Sequence, residues 1–332
     1  VSITVKNNLQ HSQFKKNIKV FGRNVANPMF KNNYLGIKKS INFLKSKNFN
    51  LAKKMCLYIN KNKLTNNVIE VHNRPYLVDV IYKLVNNKKI IFFFHNNPLE
   101  MKGSKSVDER LNLLRKVDLI ICVSDFVKKQ FEKNLNVNNK KIIVIHNGVN
   151  RQLKNFPKKQ KNIIFVGRIV REKGVHLYVE SIKKIALRFK EWKFFLAGSP
   201  ILGEKKQTIY AKKVIENFEK IGKNTKYLGF LPNHQVQNLM KVSSIIVVPS
   251  LWEEPFGLVV AEAMSNGVAI ITSNLGGISE IVGRNGLVLD NITSQKIESS
   301  IIELISNEIY LKKFQKNPGK ILNILQENHQ ED

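Results

Sequence analysis

The sequence predicts two tandem α/β domains, each a doubly wound parallel sheet covered by helices. Three observations carry that expectation. Apolar runs of strand length alternate with helical patterns along nearly the whole chain. The runs are near-continuous in Ile, Val and Phe rather than alternating, as in strands buried on both faces. The length of 332 residues exceeds one ordinary domain and fits two of roughly 150, each able to bury its own core.

In the first half the strand candidates are residues 2–5, 18–22, 68–72, 90–95, 119–124 and 142–146, with amphipathic helices expected at 107–116 and 125–133. The second half repeats the scheme at 162–167, 194–198, 227–230, 245–249, 269–273 and 287–290. The boundary is expected within 150–161, where Pro157 and a lysine cluster interrupt both periods, giving domains 1–155 and 156–332. The last helix is expected to pack back on the first domain. Ligands of open parallel sheets sit beyond the carboxyl ends of the strands, so the residues just after strands carry the chemistry, in a cleft between two facing domains.

Composition excludes several classes. At 43% hydrophobic and 9% aromatic, the chain has enough apolar surface to fold. No apolar run approaches the ~20 residues of a membrane-spanning helix. Two cysteines, Cys56 and Cys122, build neither a disulfide framework nor a Cys-based zinc site, and a reducing, cytoplasmic address is expected. The formal net charge is +30. Residues 1–150 hold 28 basic and 8 acidic side chains and residues 151–332 hold 27 and 17, and the first acidic residue is Glu70. Such a basic opening suits nucleic acid, an anionic membrane surface or phosphorylated substrates. No aromatic-basic stacking pattern or helix-turn-helix signature accompanies it, so nucleic acid is not expected.

Two segments combine cations or carboxylates with a strand end and a helix start. In NIIFVGRIVREKG (162–174) a strand ends at Gly167, and Arg168 and Lys173 flank a short loop before a helix opened by Gly174. Cations beside a helix N-terminus make an anion site, because exposed N–H groups and the helix dipole favour phosphate. In PSLWEEPFGLVVAEAMSNG (249–267) Glu254 stands in a loop and Glu262 inside the following helix. Carboxylates accept hydrogen bonds from sugar hydroxyls, while backbone N–H groups near Gly257 and Leu258 receive phosphate.

VGRxxxxKG, the EPFGxxxxE pair and GGISEIV (276–282), in that order, resemble the retaining GT-B glycosyltransferases of the large "group 1" family, family 4. FFFHNNP, CVSDFVKKQF and VIHNGV extend the resemblance more loosely through the first half. The resemblance implies that Arg168 and Lys173 bind the donor diphosphate, Glu254 contacts the donor sugar and Glu262 holds the ribose hydroxyls. It implies that Gly167 and the backbone of Phe256, Gly257 and Leu258 line the donor site, and that Phe230 in YLGFL meets the nucleobase. His95 would contact the donor sugar from across the cleft. The segment His72–Asn73–Arg74–Pro75 is similar to an acceptor-side HNRP segment of cell-envelope sugar transferases, which makes His72 and Arg74 acceptor-site candidates. His146 is expected to be structural. The family's opening strand and PPxxGG-type loop are not seen before residues 2–5, so a first strand–loop–helix unit is expected to be missing.

The implied activity is a retaining transfer of a hexose-type sugar from a UDP- or GDP-sugar to a glycan or lipid-linked acceptor, in lipopolysaccharide or surface polysaccharide biosynthesis. No Asp-x-Asp pattern occurs, so no metal or other cofactor is expected. A nucleotide-sugar-binding protein without turnover is the alternative. Two-thirds of the net charge lies in the acceptor-side domain, which fits peripheral docking on the inner face of the cytoplasmic membrane.

Overall fold

The computed structural model describes residues 2–26, 28, 32–37, 47–64, 67–86, 88–135, 140–149, 158–200 and 208–316. The chain divides into two compact units, Val1–Gly148 and Val149–Asp332. Residues 150–157, within the expected boundary, lie outside the described residues.

The first unit opens with α1 (Ser2–His11), followed by a parallel pair of strands, β1 (Val20–Arg23) and β2 (Tyr34–Ile37), and then α2 (Lys47–Lys61). A four-stranded parallel sheet follows, formed in sequential order by β3 (Asn67–His72), β4 (Lys88–Phe94), β5 (Leu119–Cys122) and β6 (Ile142–Val144). The crossovers carry α3 (Val78–Leu84), α4 (Val107–Lys116) and α5 (Asp125–Glu132). Ser106 and Glu109 start α4 with a capping box, satisfying two otherwise orphaned N–H groups. Phe92, Phe94, Ile120, Val78 and Phe131 are fully enclosed and form the centre of this core.

The second unit runs β7 (Gln160–Val166), α6 (Val175–Arg188), β8 (Lys193–Ala197), α7 (Ile209–Glu219), β9 (Thr225–Gly229) and α8 (Asn233–Val242). It continues with β10 (Ser243–Val248), α9 (Leu258–Ser265), β11 (Ala269–Ser273), α10 (Ile278–Val282), β12 (Gly286–Leu289), α11 (Ser294–Ser306) and α12 (Glu308–Lys316). Its six strands are all parallel, in the order β12-β11-β10-β7-β8-β9. The chain winds outward from β7 in one direction and from β10 in the other, so the strand order reverses between these two central strands. That reversal is the topological switch point, beyond whose carboxyl ends such sheets bind ligands.

Two expectations are corrected. Residues 2–5 do not form a strand but open α1. A four-residue apolar run cannot be assigned by periodicity alone, and Val5 and Leu9, four apart, share one helical face with Leu9 buried. The strand β2 was not expected, because Gly36 interrupts its short apolar run. The other expected strands form within a few residues of their predicted positions. α12 packs on α11 and β11 of its own unit, and residues 317–332 lie outside the described residues. Among the described residues no helix is long and apolar enough to cross a membrane, and both cysteines are free and buried.

Candidate active site

The loops after β7 and β10 are pressed together, and glycine makes that possible. Gly174 adopts φ +64°, and a Cβ there would lie 1.8 Å from the Pro249 carbonyl oxygen. Only a residue without a side chain fits so close a backbone approach in this left-handed conformation. Leu251 N–H donates to the Glu172 carbonyl at 2.8 Å, tying the second loop to the first. The result places Lys173 against Glu254, 81 residues away in sequence.

Glu254 is 8% exposed, and its carboxylate takes the Lys173 ammonium and, at 3.0 Å, the Ser250 hydroxyl. Burying a carboxylate without such partners would cost several kcal/mol. The Lys173 ammonium also lies 5.3 Å from the centre of the Trp252 ring. The backbone of Glu254 is fixed separately. Gly277 N–H donates to its carbonyl at 2.7 Å, and Gly276, at φ +72°, forms a parallel bridge with it that a Cβ would block.

α9 begins directly beyond this cluster. Gly257 precedes it in the left-handed region, and no side chain caps its first N–H groups. Those groups are therefore positioned to meet an anion. Just over one turn into α9, Glu262 accepts from Asn233 Nδ2 at 3.2 Å, and burial raises its pKa above the ordinary carboxylate range. A half-buried carboxylate gains from any hydroxyl that donates to it. Arg168 stands exposed just after Gly167. Phe230 is 47% exposed at the end of β9, whereas the Phe256 side chain is buried.

In the first unit the strand-end histidines meet one another. His72 Nδ1 lies 2.9 Å from His95 Nε2, and His72 Nε2 lies 3.4 Å from Glu70 Oε2. The backbone N–H of His95 donates to Asn73 Oδ1 at 2.7 Å, and Arg74 Nη1 donates to the Asn73 carbonyl at 2.6 Å. Burial first, then the neighbouring His72, pushes the His95 pKa down to about 3, so its ring is neutral.

The structure thus brings together Lys173 and Glu254, with Gly257 and Leu258 next to them, and it separately brings together His72 and His95. Sequence reasoning missed Ser250, Trp252, Asn233, Glu70 and Asn73. Ser250 and Trp252 sit in the quoted loop and could have been found as polar or aromatic neighbours of Glu254. Asn233 carried no signal, because its contact with Glu262 joins two different helices.

The family model described as "Glycosyl transferases group 1" matches residues 146–320, more than half of the chain, and "Glycosyltransferase Family 4" matches residues 19–153. The chain belongs to the glycosyl transferases group 1 family.

Over 202 residues the chain is 33% identical to an uncharacterized glycosyltransferase of Methanocaldococcus jannaschii, covering 60% of this chain and 53% of that protein. It is 26% identical to the putative glycosyltransferase YtcC of Bacillus subtilis, over 76% of this chain and 67% of the relative. It is 28% identical to the lipopolysaccharide 1,2-N-acetylglucosaminetransferase of Salmonella typhimurium, over 73% of this chain and 62% of the relative. The chain therefore spans between about half and two-thirds of the length of these relatives. Among solved structures, the Anabaena protein HepE in complex with UDP and glucose aligns with TM-score 0.73 and 17% identity, over 100% of this chain and 96% of that one. A glycosyltransferase from Rickettsia africae aligns with TM-score 0.70 and 20% identity, over 90% and 84% of the two chains. These likenesses establish the GT-B glycosyltransferase fold.

Proposed function

We propose that this chain is a retaining, metal-independent hexosyltransferase that uses a nucleotide-diphosphate sugar, a UDP- or GDP-sugar, as donor. The observation that carries the reading is the Lys173–Glu254 pair, held by Ser250 at the switch point and followed at once by the uncapped start of α9. Hydroxyl acceptors and phosphate donors then stand in the order that a sugar joined to a diphosphate presents. HepE, which shares the fold, has been crystallised with UDP-glucose and with UDP and glucose, and this supports a donor of that kind.

In this reading the bond from the anomeric carbon to the diphosphate breaks, and a bond from the acceptor oxygen forms on the same face. The departing phosphate takes the acceptor's proton. Charge develops on the leaving diphosphate, where Arg168, Lys173 and the α9 N–H groups stabilise it electrostatically. Glu254 accepts from donor-sugar hydroxyls, Glu262 from the ribose, and Phe230 stacks near the base.

Hydrolysis is a poorer use of these groups, since paired glycosidase carboxylates need no phosphate site. The acceptor is a glycan or lipid-linked glycan of the cell surface, as the Salmonella relative's name supports. Incubation with UDP- and GDP-sugars and a panel of lipid-linked glycans tests the reading, with EDTA leaving the rate unchanged. Binding of UDP without consumption of any donor would reduce the chain to a nucleotide-sugar binder.

A further inference from the structure

We propose that Lys159, at the edge of the second unit's sheet opposite the candidate site, is a positioning residue for that site. Its ammonium closes a ladder of polar contacts that holds α8 and α9 side by side, and so sets where α9 aims its first N–H groups. That those groups receive a nucleotide rests on the function proposed above, whereas the ladder does not.

The ladder has three rungs. At the site end Asn233 Nδ2 donates to Glu262 Oε1 at 3.2 Å. One turn further along each chain segment, Asn266 Nδ2 donates to Gln237 Oε1 at 2.7 Å, and both of these side chains are buried. At the far end Lys159 Nζ donates to the Met240 and Lys241 carbonyls of α8, at 3.2 and 2.9 Å. It also donates, at 2.6 Å, to the carbonyl of Asn266, the residue that ends α9. The two helices therefore run parallel in a fixed register. They are only about 15 and 12 Å long, so a helix released at the far end pivots at the site.

Three carbonyls converge on one nitrogen, and only its charged form answers all of them. An ammonium has three N–H donors, whereas a neutral amine has two and a lone pair. The carboxyl ends of both helices carry partial negative charge, and a cation between them offsets a repulsion that would part them. Among the described residues no carboxylate pairs with Lys159. The charged side chains nearest it in sequence and at the end of α8 are Lys158, Lys161 and Lys241, and Lys161 pairs with Glu191 at 3.7 Å. Beside it Ser244 of β10 donates to the Gln160 carbonyl and Gln315 of α12 to the Ser244 carbonyl, and both side chains are neutral. Burial without a counter-ion pulls the Lys159 pKa down to about 7, so the third rung is lost as pH rises through that value.

The test compares the full chain with Lys159→Met, which keeps an apolar stem without the charge, and with Lys159→Arg, which stays charged throughout. UDP binding is measured by calorimetry at about pH 6 and about pH 9, on either side of the Lys159 transition. Any titration of UDP itself appears in the arginine variant. Relative to that variant, the wild type should lose about 10-fold in affinity at the higher pH, and Lys159→Met should be about as weak at both. Hydrogen exchange without ligand reads the ladder directly. Amides of residues 233–242 and 258–266 should exchange faster in Lys159→Met, while those of β8 and β11 should not change. Exchange in Lys159→Met equal to the wild type, or the same pH profile of UDP affinity in the wild type and Lys159→Arg, would each overturn the proposal. If exchange behaves as stated but the wild type binds no UDP at either pH, the transferase reading fails and the ladder stands.

Discussion

At the scale of single residues, Glu254 is buried and held by two side chains and a main-chain bridge. Lys173→Ala leaves this carboxylate without its cation and, under the proposed function, removes a diphosphate contact, so transfer should fall by about 100-fold or more with the fold retained. Glu254→Ala should do the same, and near-normal turnover in either variant would refute the site. Ser250→Ala removes only one hydrogen bond to Glu254 and should cost about 10-fold in kcat. His95 makes a second residue-scale prediction through pH. Its folded pKa of about 3 lies below an unfolded value near 6.5, so the unfolded chain binds the extra proton between these limits. Stability is complete above pH ~6.5 and should fall by up to about 1.4 kcal/mol per unit as pH drops toward 3. Urea titrations at several pH values should show this slope, and His95→Gln should flatten it. The Lys173–Glu254 pair was legible in the sequence as two charged residues in loops that follow strand ends and carry a glycine or proline turn, with Arg168 and Glu262 in the same two segments. Asn233 was not, since its role exists only through the atoms it touches.

At the scale of elements, the site depends on two loops meeting at Gly174 and Pro249. Gly174→Ala forces a Cβ into the Pro249 carbonyl and into an unfavourable φ, and should destabilise the second unit by about 1–3 kcal/mol. Thermal unfolding checks this, and the ion pair between Lys173 and Glu254 should loosen with it. The strands were legible because double burial writes continuous Ile/Val/Phe runs, as in β10, whose residues are almost all buried. The start of the chain was misread because four apolar residues fit either period, and packing of Leu9 decides for a helix. The HNRP segment reads differently once built, since Asn73 and His72 both reach His95. His72 thereby has a partner within its own unit.

At the scale of the whole molecule, the net charge of +30 is the remaining feature to explain. We hypothesise that the excess in residues 1–150 docks the chain on anionic membrane, where lipid-linked acceptors lie. Co-sedimentation with vesicles should rise with anionic lipid content and fall between low and physiological salt, as Debye screening shortens. Binding indifferent to both would remove the membrane from the proposal. The sequence by itself determined the fold class, the positions of eleven of the twelve strands, and the family. These are written in local pattern, in burial periodicity and in turn residues at strand ends. Only the tertiary structure decided that Lys173 meets Glu254, that Ser250 and Asn233 orient the two carboxylates, and that Glu70 and His72 turn toward His95. Each of those depends on strand order and register, and contacts between distant segments leave no periodic trace in the chain that makes them.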